Sequence, residues 1–143
     1  MITIIDYDAG NLKSVEKALI SLGEEVIVSR DSSEILQADK VILPGKILKI
    51  PAAPGIKIPH MGWNSLDVKP GARLFKGLPA NPYVYFVHSY YLKAEDEAIV
   101  AASTEYSTHI HASVEKDNVF ACQFHPEKSS ELGLKILKNF AEL

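Results

Sequence analysis

The feature that most constrains this chain is the alternation, over its first 43 residues, of short β-branched runs with amphipathic stretches. Ile2-Thr3-Ile4-Ile5 is β-branched throughout, as a strand buried on both faces requires, and it ends at Asp6-Tyr7-Asp8-Ala9-Gly10. Leu12, Val15, Ala18, Leu19 and Leu22 then recur at helical spacing, after Asn11 as a cap and before Gly23 as a left-handed terminator. Residues 25–29 predict a second strand, Ser32 to Leu36 a short capped helical turn, and Val41-Ile42-Leu43 a third strand. The order β-α-β-α-β predicts a parallel sheet covered by helices, because parallel neighbours need a crossover and a helix usually supplies it.

Beyond Leu43 the character changes. Seven of the eight prolines lie between Pro44 and Pro82, which excludes long helices there and leaves short strands and turns, with residues 46–50 as the best strand. Strands follow at Tyr83 to His88, Ala98 to Ser103, His109 to Lys116 and Val119 to Phe124, the last two joined by a tight turn at Asp117-Asn118. This half reads as antiparallel or mixed. Ser129-Ser130-Glu131 predicts the cap of a final helix whose Leu132, Ile136, Leu137 and Phe140 form one stripe.

Composition narrows the function classes. The length of 143 residues suits one domain and one core. With 47% hydrophobic and 23% charged residues, the chain is neither disordered nor membrane-spanning in character. A net charge of -3 gives no electrostatic reason to bind nucleic acid or an anionic membrane. The single cysteine, Cys122, forms no internal disulfide and no four-cysteine zinc site, so a reducing cytoplasm is the expected location. His109 and His111 lie two apart with no third ligand in their motif, and Asp8-Ala9-Gly10 lacks the glycine spacing that cradles a pyrophosphate. Neither a metal nor a nucleotide cofactor is expected.

The chemistry concentrates in Gln123-Phe124-His125-Pro126-Glu127-Lys128-Ser129-Ser130, where a histidine and a glutamate two residues apart stand between a strand and a helix. On an extended segment that spacing puts both side chains on one side, so Glu127 can orient His125 as the third member of a triad orients its base. The residues alone equally allow a strand-end histidine beside a first-turn acid favoured by the helix dipole.

Read together, five blocks point one way: Ile4-Ile5-Asp6-Tyr7 with Gly10-Asn11-Leu12; Val41-Ile42-Leu43-Pro44-Gly45; Pro59-His60-Met61-Gly62-Trp63-Asn64; Tyr85-Phe86-Val87-His88-Ser89-Tyr90; and Gln123 through Ser130. With them the sequence resembles the glutamine amidotransferase subunit of imidazole glycerol phosphate synthase, a class I (triad) amidotransferase, from one terminus to the other. The resemblance implies a reduced, flavodoxin-like three-layer α/β fold as a single truncated domain over residues 1–143, with a mixed sheet whose C-terminal half is antiparallel. It implies a histidine-biosynthesis enzyme that hydrolyses glutamine and passes ammonia to a cyclase subunit. His125 matches the base and Glu127 the orienting acid; Ser89 and Tyr90 match a segment lining the glutamine site; Asn11, Trp63, Tyr85 and Lys128 match positions facing the cyclase; Pro44 and Gly45 match the start of the oxyanion loop. Outside the resemblance, Trp63 and Tyr85 read as core aromatics and Lys128 as a solvated residue.

One part of the pattern is missing. The family carries its nucleophile in a Gly-x-Cys-x-Gly elbow between the Leu-Pro-Gly and Pro-His-Met-Gly-Trp-Asn blocks, whereas residues 46–58 contain no cysteine, no serine and only Gly55. The chain passes from one Pro-Gly to what resembles the stretch beyond the elbow, an internal deletion of the nucleophile strand and its flanking helices, with Lys46 replacing a small apolar residue. Cys122 lies three residues before His125, so strand alternation puts the two on opposite faces and makes Cys122 a buried structural thiol. The expectation is a glutaminase-dead domain, because triad members act as a unit. Loss of an interior strand leaves two edges, and the strand leading to His125 is expected to pair directly with Val41 to Leu43. Two other readings stand beside this one: a non-catalytic cyclase-binding module, and a designed or trimmed flavodoxin-like scaffold with neither partner nor activity.

Overall fold

In a computed structural model of the protein, which describes residues 1–6, 12–42, 48–94 and 96–143, strand β1 (Ile2–Ile5) is the centre of a parallel sheet. Ile2, Thr3 and Ile4 are each at most 2% exposed, so the strand is covered on both faces. Helix α1 (Leu12–Ser21) buries Leu19 fully and lays Leu12, Val15 and Ala18 on the same core; Gly23, at φ +86°, ends it as its sequence position predicts. β2 (Val26–Ser29) follows, then α2 (Ser32–Leu36), capped by Asp31, whose carboxylate accepts the Ser33 N–H at 2.7 Å. β3 (Lys40–Ile42) returns to the other side of β1, giving the parallel order β2-β1-β3. Leu43 and the first two residues of the expected strand at 46–50 lie outside the described residues; β4 (Leu48–Lys49) is its described part.

The proline-rich middle contains β5 (His60–Ser65) and β6 (Asp67–Val68), separated by a 3-10 turn at Arg73–Phe75 from β7 (Tyr83–His88). β5 pairs with β7 in an antiparallel ladder running from His60 opposite His88 to Ser65 opposite Tyr83. Sequence reading names no strand here because the faces are inverted: His60 is 3% exposed, whereas Met61 and Trp63 are 62% and 52% exposed. After β8 (Tyr90–Tyr91), paired with β4, a 3-10 turn at Glu97–Ile99 delays β9 to Val100–Tyr106, later and longer than the expected 98–103, because the Asp96 carboxylate takes the Ala98 N–H at 2.9 Å. β10 (Thr108–Lys116) and β11 (Val119–Cys122) complete a four-stranded antiparallel sheet in the order β11-β10-β9-β6. Helix α3 (Ser130–Glu142) closes the chain.

One buried cluster joins the two halves: Ile2, Ile4 and Leu19 from the first meet Val84, Phe86 and Ala112 from the second, with Phe124, Ile136 and Phe140 between them. The sheets themselves do not join. Among the described residues β3 pairs only with β1 and β11 only with β10, so the expected ladder between them is absent. Their Cα atoms nevertheless come within 8 Å, less than the ~9.6 Å that two strand spacings occupy, so no third strand fits between. The ladder fails because β11 stops at Cys122, two residues short of its predicted end. After Gln123, whose N–H bonds the Ala112 carbonyl at 2.8 Å, the chain bends away, and the His125 N–H goes to Tyr85 of β7. No helix among the described residues is long and apolar enough to cross a membrane.

Candidate active site

The bend after β11 delivers His125 to the free edge of β7, where its N–H bonds the Tyr85 carbonyl at 2.9 Å. A 3-10 turn follows at Pro126–Lys128, with His125 as its N-cap; proline suits the first position because its fixed φ is helical and it has no N–H to leave unpaired. The tight turn, not an extended segment, brings the two side chains together, with His125 Nδ1 2.9 Å from Glu127 Oε1. The Glu127 side chain is 2% exposed and that of His125 22%. A carboxylate only accepts, so Nδ1 carries the proton and Nε2 is left as the basic nitrogen, with no hydrogen bond among the described residues. This is the geometry of an oriented general base.

Beside the pair is an apolar cavity of about 130 Å³, walled by Ile4, Leu12, Val15, Ile42, Phe120 and α3 residues, with His125, Glu127 and Cys122 in its lining. Cys122 and His125 therefore share a cavity, contrary to the alternation argument, because the strand ends between them. Cys122 is an exposed residue that lines this cavity, not the buried structural cysteine expected of it. The protein packed around it pushes the thiol up to about 12, and the Glu127 carboxylate adds to the effect. Such a thiol is protonated at neutral pH and a poor nucleophile.

Trp63 and Tyr85 are opposite each other on β5 and β7 and meet edge to face, centroids 6.0 Å apart. Trp63 is half exposed, not a core residue, and Lys128 is exposed on the adjoining turn. Tyr90 is half exposed on β8, and the Ser89 carbonyl accepts the Ile50 N–H at 2.9 Å, so this segment is tied to β4. Asn11, Pro44 and Gly45 lie outside the described residues. The sequence gives Ser129 only the part of a helix cap, and gives no role to the buried pair His60 and His88, which join through a 3.0 Å hydrogen bond. Their hint was their place in the quoted blocks; only the β5–β7 register sets the two histidines opposite each other.

Among the described residues no group of three or more His, Cys, Asp or Glu is arranged to hold a metal. His109 Nδ1 pairs with Glu105, and His111 Nδ1 accepts the Ala94 N–H at 2.9 Å.

The family profile for glutamine amidotransferase class-I matches residues 46–143, which include His125, Glu127 and Cys122. The chain belongs to the class I glutamine amidotransferase family. Within that family it is similar to imidazole glycerol phosphate synthase subunit HisH: 39% identical to that of Caldanaerobacter subterraneus subsp. tengcongensis over 199 aligned positions, covering 100% of this chain and 98% of the relative. Against HisH of Methanocaldococcus jannaschii the identity is 38% over 197 positions, with 100% of each covered. The crystal structure of a Thermoplasma acidophilum protein, described as a GMP synthase subunit, superposes with a TM-score of 0.77 at 19% identity, covering 99% of this chain and 92% of the other. It shares the fold: mixed α/β, with a parallel N-terminal sheet and antiparallel C-terminal sheets.

Proposed function

We propose that this chain is a single truncated amidotransferase domain, related to the glutaminase subunit of imidazole glycerol phosphate synthase, that keeps the base and its orienting acid but has no nucleophile. The observation that carries the reading is the coexistence of an assembled His125–Glu127 pair with residues 46–58 that hold no cysteine or serine where the family carries its nucleophile. The base holds its proton on Nδ1 and leaves Nε2 free to take a proton, yet no activated thiol stands ready to attack a carboxamide.

The alignments support an internal deletion. A chain of 143 residues aligned over 197 positions leaves 54 or more (197 less 143) in which the relative stands alone. The profile match begins at Lys46, immediately after Pro44-Gly45, where the elbow and its oxyanion loop are missing from the sequence. The retained function is docking on a cyclase subunit in the cytoplasm, through the half-exposed Trp63, its partner Tyr85 and Lys128, with Asn11 as a further contact. Ser89 and Tyr90 are the remnant of the glutamine-lining segment. The half-exposed Trp63, held edge to face by the partly buried Tyr85, favours docking over an inert scaffold, because Trp anchors interfaces and is costly to leave on a surface.

The test is a calorimetric titration of the chain with a cyclase subunit from the same source, with glutamate release measured in the same samples. Heat of binding without glutamate is the expected result. Cyclase-stimulated glutamate release overturns the nucleophile-less reading, and absence of any binding leaves only a reduced scaffold.

A further inference from the structure

Ser129 stands at the N-cap of α3, yet its hydroxyl makes no bond to the helix. Instead Ser129 Oγ donates to the His125 carbonyl at 2.7 Å and accepts the Tyr85 N–H at 2.9 Å. The cap has been given up for a bridge between β7 and the turn that holds the His125–Glu127 pair. Tyr85 is opposite Trp63 in the β5–β7 ladder, and its own N–H and C=O both go to the turn: the C=O directly to the His125 N–H at 2.9 Å, the N–H through Ser129. An edge strand normally leaves such groups to solvent. Here the turn occupies them as a neighbouring strand would.

The bridge is buried and pressed from behind. Ser129 is 1% exposed, so water does not readily replace its bonds. The Gly133 N–H bonds the Ser129 carbonyl at 3.1 Å, and a Cβ at Gly133 would lie 1.8 Å from the Pro126 oxygen, so α3 sits directly against the turn. His125 is thus fixed at its N–H and C=O to one residue of β7, the residue whose ring packs on Trp63 at the exposed face.

We propose that Ser129 is a positioning residue that couples the His125–Glu127 pair to β7, so that a protein docked on the Trp63–Tyr85 face displaces the pair through the Tyr85 backbone. The docking half rests on the proposed function above; the tether does not.

The experiment uses the full chain with isotope-labelled histidine and follows the His125 Nδ1 proton by NMR, with Tyr85 amide exchange read on the same protein. In the native chain the Nδ1 proton is expected downfield and slow to exchange. Ser129→Ala loses that resonance and speeds Tyr85 exchange about tenfold, with the far-ultraviolet circular dichroism unchanged, and Ser129→Thr, which keeps the hydroxyl, restores both. A cap acting on α3 alone would leave the His125 proton in place. A resonance and a Tyr85 protection that survive in Ser129→Ala overturn the tether. If that variant does not fold, native Tyr85 exchanging as fast as the frayed strand ends overturns it equally. In the second arm, adding a cyclase subunit shifts the His125 ring-carbon resonances of the native chain but not those of Ser129→Ala, whose Nδ1 proton signal is already lost, while both give heat of binding. Binding with an unmoved native resonance overturns the coupling. Absence of binding sinks the docking reading and the coupling with it, and leaves the tether to be decided by the first arm.

Discussion

The imidazoles of His60 and His88 meet in a 3.0 Å hydrogen bond straight across the β5–β7 ladder. Their protons are fixed from one end. His88 Nδ1 lies 2.8 Å from the Tyr90 carbonyl, which only accepts, so His88 Nε2 is an acceptor and His60 Nδ1 the donor. His60 is also stacked between Phe86 and Tyr106, at centroid distances of 4.6 and 3.8 Å, and its Nε2 faces the Asn64 amide at 3.5 Å. Both rings are neutral in this arrangement.

The first prediction is acid lability. Burial, then the His88 charge, lowers His60 from 6.5 to about 4; His88 is lowered as well, chiefly by burial. The unfolded chain therefore takes up these protons as pH falls through 6.5 while the folded chain resists. The stabilisation is complete above pH 6.5 and is lost progressively toward pH 4, by about 3 kcal/mol for His60 alone. Urea midpoints measured between pH 7.5 and 4.5 should fall steadily; a flat profile counts against the neutral pair.

The second concerns Cys122. A thiol pushed up to about 12 holds, near pH 8, about a thousandth of the thiolate of an ordinary cysteine. Iodoacetamide should label the native chain very slowly and the urea-unfolded chain rapidly, followed by mass spectrometry. Equal rates would mean that the cavity does not suppress ionisation.

Gly133→Ala gives the third. Its Cβ would meet the Pro126 oxygen at 1.8 Å and the Ser129 Cβ at 2.7 Å, so either α3 or the turn must move. Overpacking of this kind costs about 1–3 kcal/mol or more, and His125 should lose its Glu127 partner at the same time. Denaturant unfolding reads the first effect and the His125 Nδ1 proton the second.

The fourth tests the shared core. Phe86 is fully buried, stacked on His60 and edge to face with Phe124 at 5.9 Å. Phe86→Ala should cost about 3–5 kcal/mol in urea unfolding, because the cavity left there has aromatic rings on two sides that cannot collapse together. A loss below about 1 kcal/mol would show that the two halves do not depend on this contact.

The N-terminal parallel unit was legible because its signals are local: β-branched runs, helical spacing and Gly23 act within a few residues of one another. The His125–Glu127 pairing was legible for the same reason, although a 3-10 turn and not an extended segment makes the contact. The lack of any cysteine or serine in residues 46–58 could be read directly.

What lay beyond the sequence depends on partners far along the chain. β5 turns His60 inward and Met61 and Trp63 outward because its ladder with β7 and the stacking of Phe86 and Tyr106 favour that face, against the apolar pattern. Among the described residues β3 does not pair with β11, and Cys122 lines the cavity beside His125; both go with a chain that leaves the sheet after Gln123 to bond Tyr85 of β7. The sequence by itself determined which groups this protein has for chemistry and which it lacks. Only the tertiary structure decided where the Ser129 hydroxyl is spent, because a buried donor bonds whatever acceptor the packed chain presents, and here that is the His125 carbonyl.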